Sequence, residues 1–159
     1  MKKVVLLGDS IRLIGYGART AELLKDEFTV WQPEDNCRWA QYTLRGLFDW
    51  AADIEGADII HWNNGHWDLC ELYGDGNFTP AERYVELMVR IAKLLQQRAK
   101  TVIFATTTPV RPENPFNLTP IRSPLDNINL SLTLAYRFNK EGFTEWFYKP
   151  PKRNRSKRE

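Results

Sequence analysis

Val4-Val5-Leu6-Leu7-Gly8-Asp9-Ser10-Ile11 decides how this chain is read. Four apolar residues end abruptly in Gly-Asp-Ser. A short apolar run bounded by a turn signal reads as a buried strand, and Gly8 marks where it stops. Strands buried on both faces belong to parallel sheets covered by helices. Such sheets bind ligands beyond the carboxyl ends of their strands. Ser10 therefore stands where chemistry is expected. A plain turn in which Asp9 or Ser10 caps a helix would carry the same residues, so the rest of the chain has to decide.

Outward from that stretch, strands and helices alternate. Tyr16 to Asp26 carries Ala18, Ala21, Leu23 and Leu24 at helical spacing. Phe28-Thr29-Val30-Trp31 is a second strand, closed by Gln32-Pro33. A helix from about Trp39 to Ala52 has the stripe Leu44, Leu47, Phe48 and Ala51. Ala57 to Trp62 is a third strand running into Asn63-Asn64-Gly65-His66-Trp67-Asp68. Thr79-Pro80-Ala81-Glu82 opens a helix, with Thr79 as cap, Pro80 first and Glu82 reaching back. Val85, Met88, Ile91, Ala92 and Leu95 carry its buried face. Thr101 to Ala105 is a fourth strand, and Thr106 to Pro112 the loop at its carboxyl end. Four alternations predict an α/β fold, a three-layer α/β/α sandwich with a flavodoxin-like parallel sheet ordered 2-1-3-4.

Composition narrows the class. With 43% hydrophobic and 26% charged residues, the 159-residue chain is a globular domain rather than a disordered one. Its basic excess sits in residues 149–159, which hold six Lys/Arg against one Glu. The body is mildly acidic, so no nucleic-acid partner is expected. No run reaches membrane-spanning length, so no membrane partner is expected either. Lys2-Lys3 precede too few apolar residues for a signal peptide. Cys37 and Cys70 make no disulfide framework. The expectation is a cytoplasmic protein. No His/Cys/carboxylate cluster has ligand spacing, and no cofactor or metal is expected. Oligomeric state is left open.

Acyl transfer by serine needs a nucleophile, a base and oxyanion donors. Ser10 offers a hydroxyl and its own backbone N–H. Asn63 or Asn64 offers a side-chain amide at the end of the third strand. The segment around Asn36 offers a further backbone N–H. Asp9 reads as the residue that holds the turn, and His61 as a core or lining residue of its strand.

With these residues the chain resembles the SGNH, or GDSL-type, ester hydrolases over about residues 3 to 118. Gly8-Asp9-Ser10-Ile11 is similar to that family's first block, which makes Ser10 the nucleophile. Asn36-Cys37-Arg38-Trp39-Ala40-Gln41-Tyr42-Thr43 resembles a degraded second block, whose oxyanion glycine would fall near Gln41. Asn63 to Asp68 resembles the third block, whose Asn side chain completes the oxyanion hole. Asn64 is favoured for that role, with Asn63 kept beside it. The family's closing block, an Asp and a His three residues apart, is absent: no His follows His66 and no Asp follows Asp126. His66 is the candidate replacement base.

Beyond about residue 122 the family's plan is lost. Ile128, Leu130, Leu132, Leu134, Tyr136 and Phe138 alternate with polar or small residues, the pattern of a half-buried strand. Lys140-Glu141-Gly142 would turn it into a second strand, Phe143 to Tyr148. The expected organisation is a hydrolase-like core over 1–122, a divergent segment over 123–148 and a basic tail over 149–159, with the last family strand and helix missing. A truncated or frame-shifted reading frame would produce this, as would divergence. The resemblance implies hydrolysis of acyl or acetyl esters of small molecules or carbohydrates, impaired here by the missing base. The alternative is a non-catalytic ligand-binding module or a truncated fragment of such a hydrolase. A phosphate-binding flavodoxin-like domain is disfavoured, because no Gly-rich loop follows any strand.

Overall fold

Lys2–Leu7 forms β1 in the middle of the sheet, and Val4, Val5, Leu6 and Leu7 are all buried. The structure, a computed structural model, describes residues 1–107 and the strand backbones of residues 135–139 and 142–144. β2 (Phe28–Trp31) pairs with one side of β1, and β3 (Ala57–Trp62) with the other. β4 (Ala99–Ala105) lies outside β3, and these four strands are parallel in the expected order. Leu7 stands beside Trp62, and Trp62 beside Phe104. The carboxyl ends of β1, β3 and β4 thus form one level rim.

Alternation sends neighbouring side chains to opposite faces. Val5, Leu7, Ile60, Trp62 and Val102 meet Leu47, Leu87, Ile91 and Leu95 in a single core. Those four partners come from α2 (Ala40–Asp49) and α5 (Ala81–Gln96). Leu6 and His61, paired in register, face the other way. There His61 meets Tyr16, the last residue of a π-helix (Ile11–Tyr16) that runs on into α1 (Gly17–Leu24). The result is the expected three layers.

Several local expectations are corrected. The helix expected from Trp39 to Ala52 is two helices, α2 and α3 (Ala51–Ile54), interrupted at Trp50. Phe48 and Val85, expected on buried stripes, are 73% and 59% exposed. The stripes run instead through Thr43 and Leu47, and through Leu87, Ile91 and Leu95, with Phe48 and Val85 turned away from them. Thr79 does not cap α5. Its hydroxyl donates to Asp68 Oδ1 at 2.8 Å, and Pro80 holds the N-cap position.

The sheet continues past β4. β5 (Ala135–Asn139) pairs antiparallel with β4, and β6 (Gly142–Thr144) antiparallel with β5. β5 ends at Asn139 and β6 begins at its partner Gly142; Lys140 and Glu141, where the turn is expected, lie outside the described residues. Residues 128–134 and 145–159, and the loop beyond Thr107, lie outside the described residues.

Candidate active site

Three stretches of chain are tied together on the rim. The Asn63 N–H donates to the Leu7 carbonyl and the Cys37 N–H to the Gly8 carbonyl, each at 3.1 Å. Asn64 Nδ2 donates to the Arg38 carbonyl at 2.9 Å. Gly8 is glycine because there is no room for more: a Cβ there would come within 2.9 Å of both Arg12 Cβ and Asn63 Oδ1. Ser10 follows, half-buried, with helical φ −60° and ψ −25°, directly before the π-helix. Short π-helical segments are frequent at functional sites. Asp9 shapes the turn as expected. Its Oδ1 accepts the Ile11 N–H at 2.9 Å, and its carbonyl accepts the Leu13 N–H at 3.0 Å.

Asn64 is fully buried, and its side-chain amide and its carbonyl are all hydrogen-bonded. Trp62 Nε1 donates to its Oδ1 at 2.7 Å. An indole N–H only donates and a carbonyl only accepts, so the amide orientation is fixed. The Asn64 carbonyl accepts from the Tyr84 hydroxyl at 2.8 Å and from Thr107 Oγ1 at 3.0 Å. Burial raises the Tyr84 phenol well above its ordinary range. Gly65 comes next, and a Cβ there would run into the Thr107 side chain. Asn63 sits against Gly8, its buried Oδ1 without a hydrogen-bond partner among the described residues.

The second segment departs from ordinary backbone at Arg38, not at Gln41. Among the described residues Arg38 alone is a non-glycine with positive φ, at 48°. Asn36 Oδ1 accepts the Arg38 N–H at 2.7 Å and steadies that turn. Gln41 lies in the first turn of α2 with an exposed side chain and ordinary helical backbone. The left-handed conformation, which glycine adopts most readily, falls on Arg38. Ser10, Asn63 and Asn64 share the rim. Gln41 contributes only its backbone N–H, one of the first N–H groups of α2.

Two residues on this rim escaped the sequence reading. Arg12 is fully buried, although it follows Ser10 by two residues. Its guanidinium donates to the carbonyls of Pro33 at 2.8 Å and Asp35 at 2.5 Å, with longer contacts to Gln32 Oε1, the Gly8 carbonyl and Cys37 Sγ. Asp68 is fully buried too. Its carboxylate accepts the Ala40 N–H at the start of α2, through Oδ2 at 2.9 Å, and the Thr79 hydroxyl. Burial pushes this carboxyl up to about 6, against the lowering effect of those two bonds. The available signals were an arginine inside the apolar run Ile11 to Ile14, and an acid four residues past Asn64.

His61 is placed away from the candidate chemistry. It packs edge-on against Tyr16, with Nδ1 3.3 Å from the phenol oxygen. Burial lowers the imidazole and, with nearby Asp9, lifts the Tyr16 phenol to about 12. His66 opens the short helix α4 (His66–Leu69) on the rim, two residues beyond Asn64. Among the described residues no three His, Cys, Asp or Glu could hold a metal ion. No described helix is long and apolar enough to cross a membrane.

This is an α/β fold with its polar rim at the carboxyl ends of parallel strands. One solved structure with the same architecture is an acetyl xylan esterase, AlAXEase, at a TM-score of 0.53 and 21% identity. The match covers 72% of this chain and 65% of that one, so the chain spans less than two thirds of its neighbour's length. At that identity the likeness is one of fold. No family model matches the chain, and no curated protein matches it.

Proposed function

We infer that this chain is built as an SGNH-type ester hydrolase that uses Ser10 to attack acyl esters, with an acetyl group as the first candidate. The observation behind this reading is the joining of Gly8-Asp9-Ser10, Asn36-Cys37-Arg38 and Asn63-Asn64 at one rim by hydrogen bonds of 2.9–3.1 Å. The acetyl group is also the one named in its structural neighbour. Ser10 Oγ adds to the ester carbonyl carbon, and the carbonyl π pair moves to oxygen. The Ser10 N–H, the N–H of the Gln41 turn and the second Asn64 amide hydrogen are the donors for that oxyanion. Collapse expels the alcohol, and water then releases the acid from the acyl-serine. The serine proton has to go to a base, and His66 is the histidine on this rim. A serine without a His–Asp pair is a poor nucleophile, and an oxyanion hole alone retains about 10³-fold to 10⁴-fold catalysis over water. Turnover is therefore expected to be far below that of a complete triad.

The test is hydrolysis of ethyl acetate and of an activated acetate ester by the purified chain, Ser10→Ala and His66→Ala. Slow turnover abolished by Ser10→Ala supports the reading. Loss in both variants makes His66 the base. Turnover unchanged in Ser10→Ala overturns the reading. One observation favours a second reading, a ligand-binding module: Asn64 is wholly buried, and one of its amide hydrogens is already committed to Arg38. Saturable ligand binding with no Ser10-dependent turnover would select it.

A further inference from the structure

Asp68 is a fully buried acid with no salt bridge among the described residues, and it grips the segment that carries the Gln41 N–H. The Thr43 N–H donates to the Trp39 carbonyl at 3.0 Å, the first bond of α2. The N–H groups of Ala40, Gln41 and Tyr42 therefore have no acceptor within their own helix. Ala40 gives its N–H to the Asp68 carboxylate, 2.9 Å from Oδ2 and 3.1 Å from Oδ1. The Gln41 N–H, next along, has no acceptor among the described residues.

This turn is held from both ends. Asn64 Nδ2 takes it by the Arg38 carbonyl at 2.9 Å, and Asp68 takes it by the Ala40 N–H. Both grips leave one short stretch, in which the Asp68 and Leu69 N–H groups donate to the Gly65 carbonyl at 3.0 and 2.8 Å. Thr79 locks Asp68 from the far side, with its hydroxyl on Oδ1 and its N–H on the Asp68 carbonyl, both at 2.8 Å. An amide at position 68 could accept the Ala40 N–H and donate to the Thr79 hydroxyl without burying charge. A buried carboxylate with no cation beside it costs stability. What the charge adds is a shorter, stronger bond to a backbone N–H. Ionisable groups of this costly kind gather at functional sites.

We propose that Asp68 is a positioning residue: its carboxylate fixes the start of α2 so that the Gln41 N–H stays aimed at the oxyanion. The proposal rests on the hydrolase reading of the rim. Proton uptake by Asp68 occupies one of the two oxygens that the Ala40 N–H uses, and replaces a charge-assisted bond with a neutral one. Burial pushes the carboxyl up to about 6, so the exchange falls where turnover can be measured. Cys70 on the same connection and Tyr84 from α5 are each lifted by burial first and also by the Asp68 charge, so both are neutral there. The Arg38 guanidinium is turned to Asp35, at 3.8 Å, and to the Tyr42 ring. His66 lies two residues before Asp68 on α4.

The test is hydrolysis of phenyl acetate by the full chain and by Asp68→Asn at pH 5 and pH 7, with Ser10→Ala as the blank. The ratio of wild-type to variant kcat should be near one at pH 5, where both side chains are uncharged. At pH 7 it should be about fivefold to tenfold, the difference between a charged and a neutral bond. KM should match in the two proteins, because the donor acts on the oxyanion rather than on the bound ester. His66 is present in both and cancels in the ratio. Urea unfolding at each pH gives the folded fraction. A kcat loss that merely follows that fraction overturns the proposal, as does a ratio of one at pH 7. A ratio below one at pH 7 overturns it too, since the buried charge would then oppose the oxyanion instead of placing its donor. Thr79→Val leaves the carboxylate in place and deletes a bond that favours its ionised form. The rise of kcat with pH should then shift to higher pH, and an unmoved rise overturns the proposal. Absence of Ser10-dependent turnover in the wild type overturns the hydrolase reading and this proposal together. Ser10-dependent turnover with a ratio of one at both pH values overturns the proposal alone.

Discussion

The loop after β2 and the loop after β3 are each organised around one buried charge, and neither charge forms a salt bridge among the described residues. In the first, Arg12 gathers the carbonyls of Pro33 and Asp35. In the second, Asp68 gathers the Ala40 N–H and the Thr79 hydroxyl. Backbone and hydroxyl dipoles do the work a salt bridge would do. The loops differ in what pH can do to them. A guanidinium stays protonated throughout the accessible range. The Asp68 carboxyl, pushed up to about 6, titrates within it. The rim thus has one fixed tie and one conditional tie.

Breaking the fixed tie should have the largest effect. Arg12→Met keeps the length and apolar stem but leaves the buried Pro33 carbonyl without its donor and frees the loop at Asp35. Leaving a buried acceptor without its partner costs about 1–3 kcal/mol, and Arg12 serves more than one carbonyl. That is a large share of the roughly 5–15 kcal/mol that holds a domain together. Urea unfolding should show the midpoint collapse, and Arg12→Lys should not restore it, because one ammonium cannot reproduce the planar fork. Wild-type stability in Arg12→Met would mean the loop is held by something else.

The conditional tie should show itself through pH. In the folded chain burial pushes the Asp68 carboxyl up to about 6, above the ordinary aspartate value of about 4. The native state therefore binds more protons than the unfolded one between those values. Stability from this group is fully present below about 4 and falls as pH rises toward 6, by on the order of 2–3 kcal/mol in all. Asp68→Asn keeps an oxygen for the Ala40 N–H and removes the titration. Its unfolding midpoint should change little between pH 4 and 7 from this source. Relative to wild type it should lose stability at pH 4 and recover at pH 7. A difference between the two proteins that does not vary with pH would remove the buried-carboxyl account.

The fold was largely legible and the rim only partly so, for physical reasons visible in these residues. The run Val4 to Leu7 was legible as a buried strand because it is too short for a buried helix and Gly8 stops it. Parallel order followed from alternation. The strand β5 was legible in the alternation of Tyr136 and Phe138 with Arg137 and Asn139. Thr79 misled because a Thr-Pro-x-Glu start is a cap signal only while the hydroxyl lacks a better partner. A buried carboxylate eleven residues back is a better partner, and no local rule sees it. Arg12 was invisible for the same reason: an arginine reads as solvated until a loop of carbonyls closes over it. Phe48 and Val85 show that a periodic stripe fixes a helix but not how far its neighbours cover it.

The smallest expected effect comes from the surface counterpart of Asp68. Asp35, in the first loop, also takes a hydroxyl donor, Tyr42 Oη at 2.7 Å, and an N–H, that of Asn36 at 2.7 Å. The chemistry is nearly that of Asp68 with Thr79 and Ala40, yet the shift has the opposite sign. The Tyr42 bond, followed by the Asn36 N–H, holds the Asp35 carboxyl below its usual range. Water covers Asp35, so these bonds set the sign; around Asp68 the loss of water outweighs them. Tyr42→Phe keeps the ring under Arg38 and deletes only the stronger bond. The Asp35 carboxyl should then move up toward its ordinary value, read by NMR titration, while the unfolding midpoint stays within error of wild type, as for other exposed pairs. A marked loss of stability would mean that Asp35 is not the solvated group its exposure describes. An unmoved titration would mean that the Asn36 N–H, not the phenol, governs it.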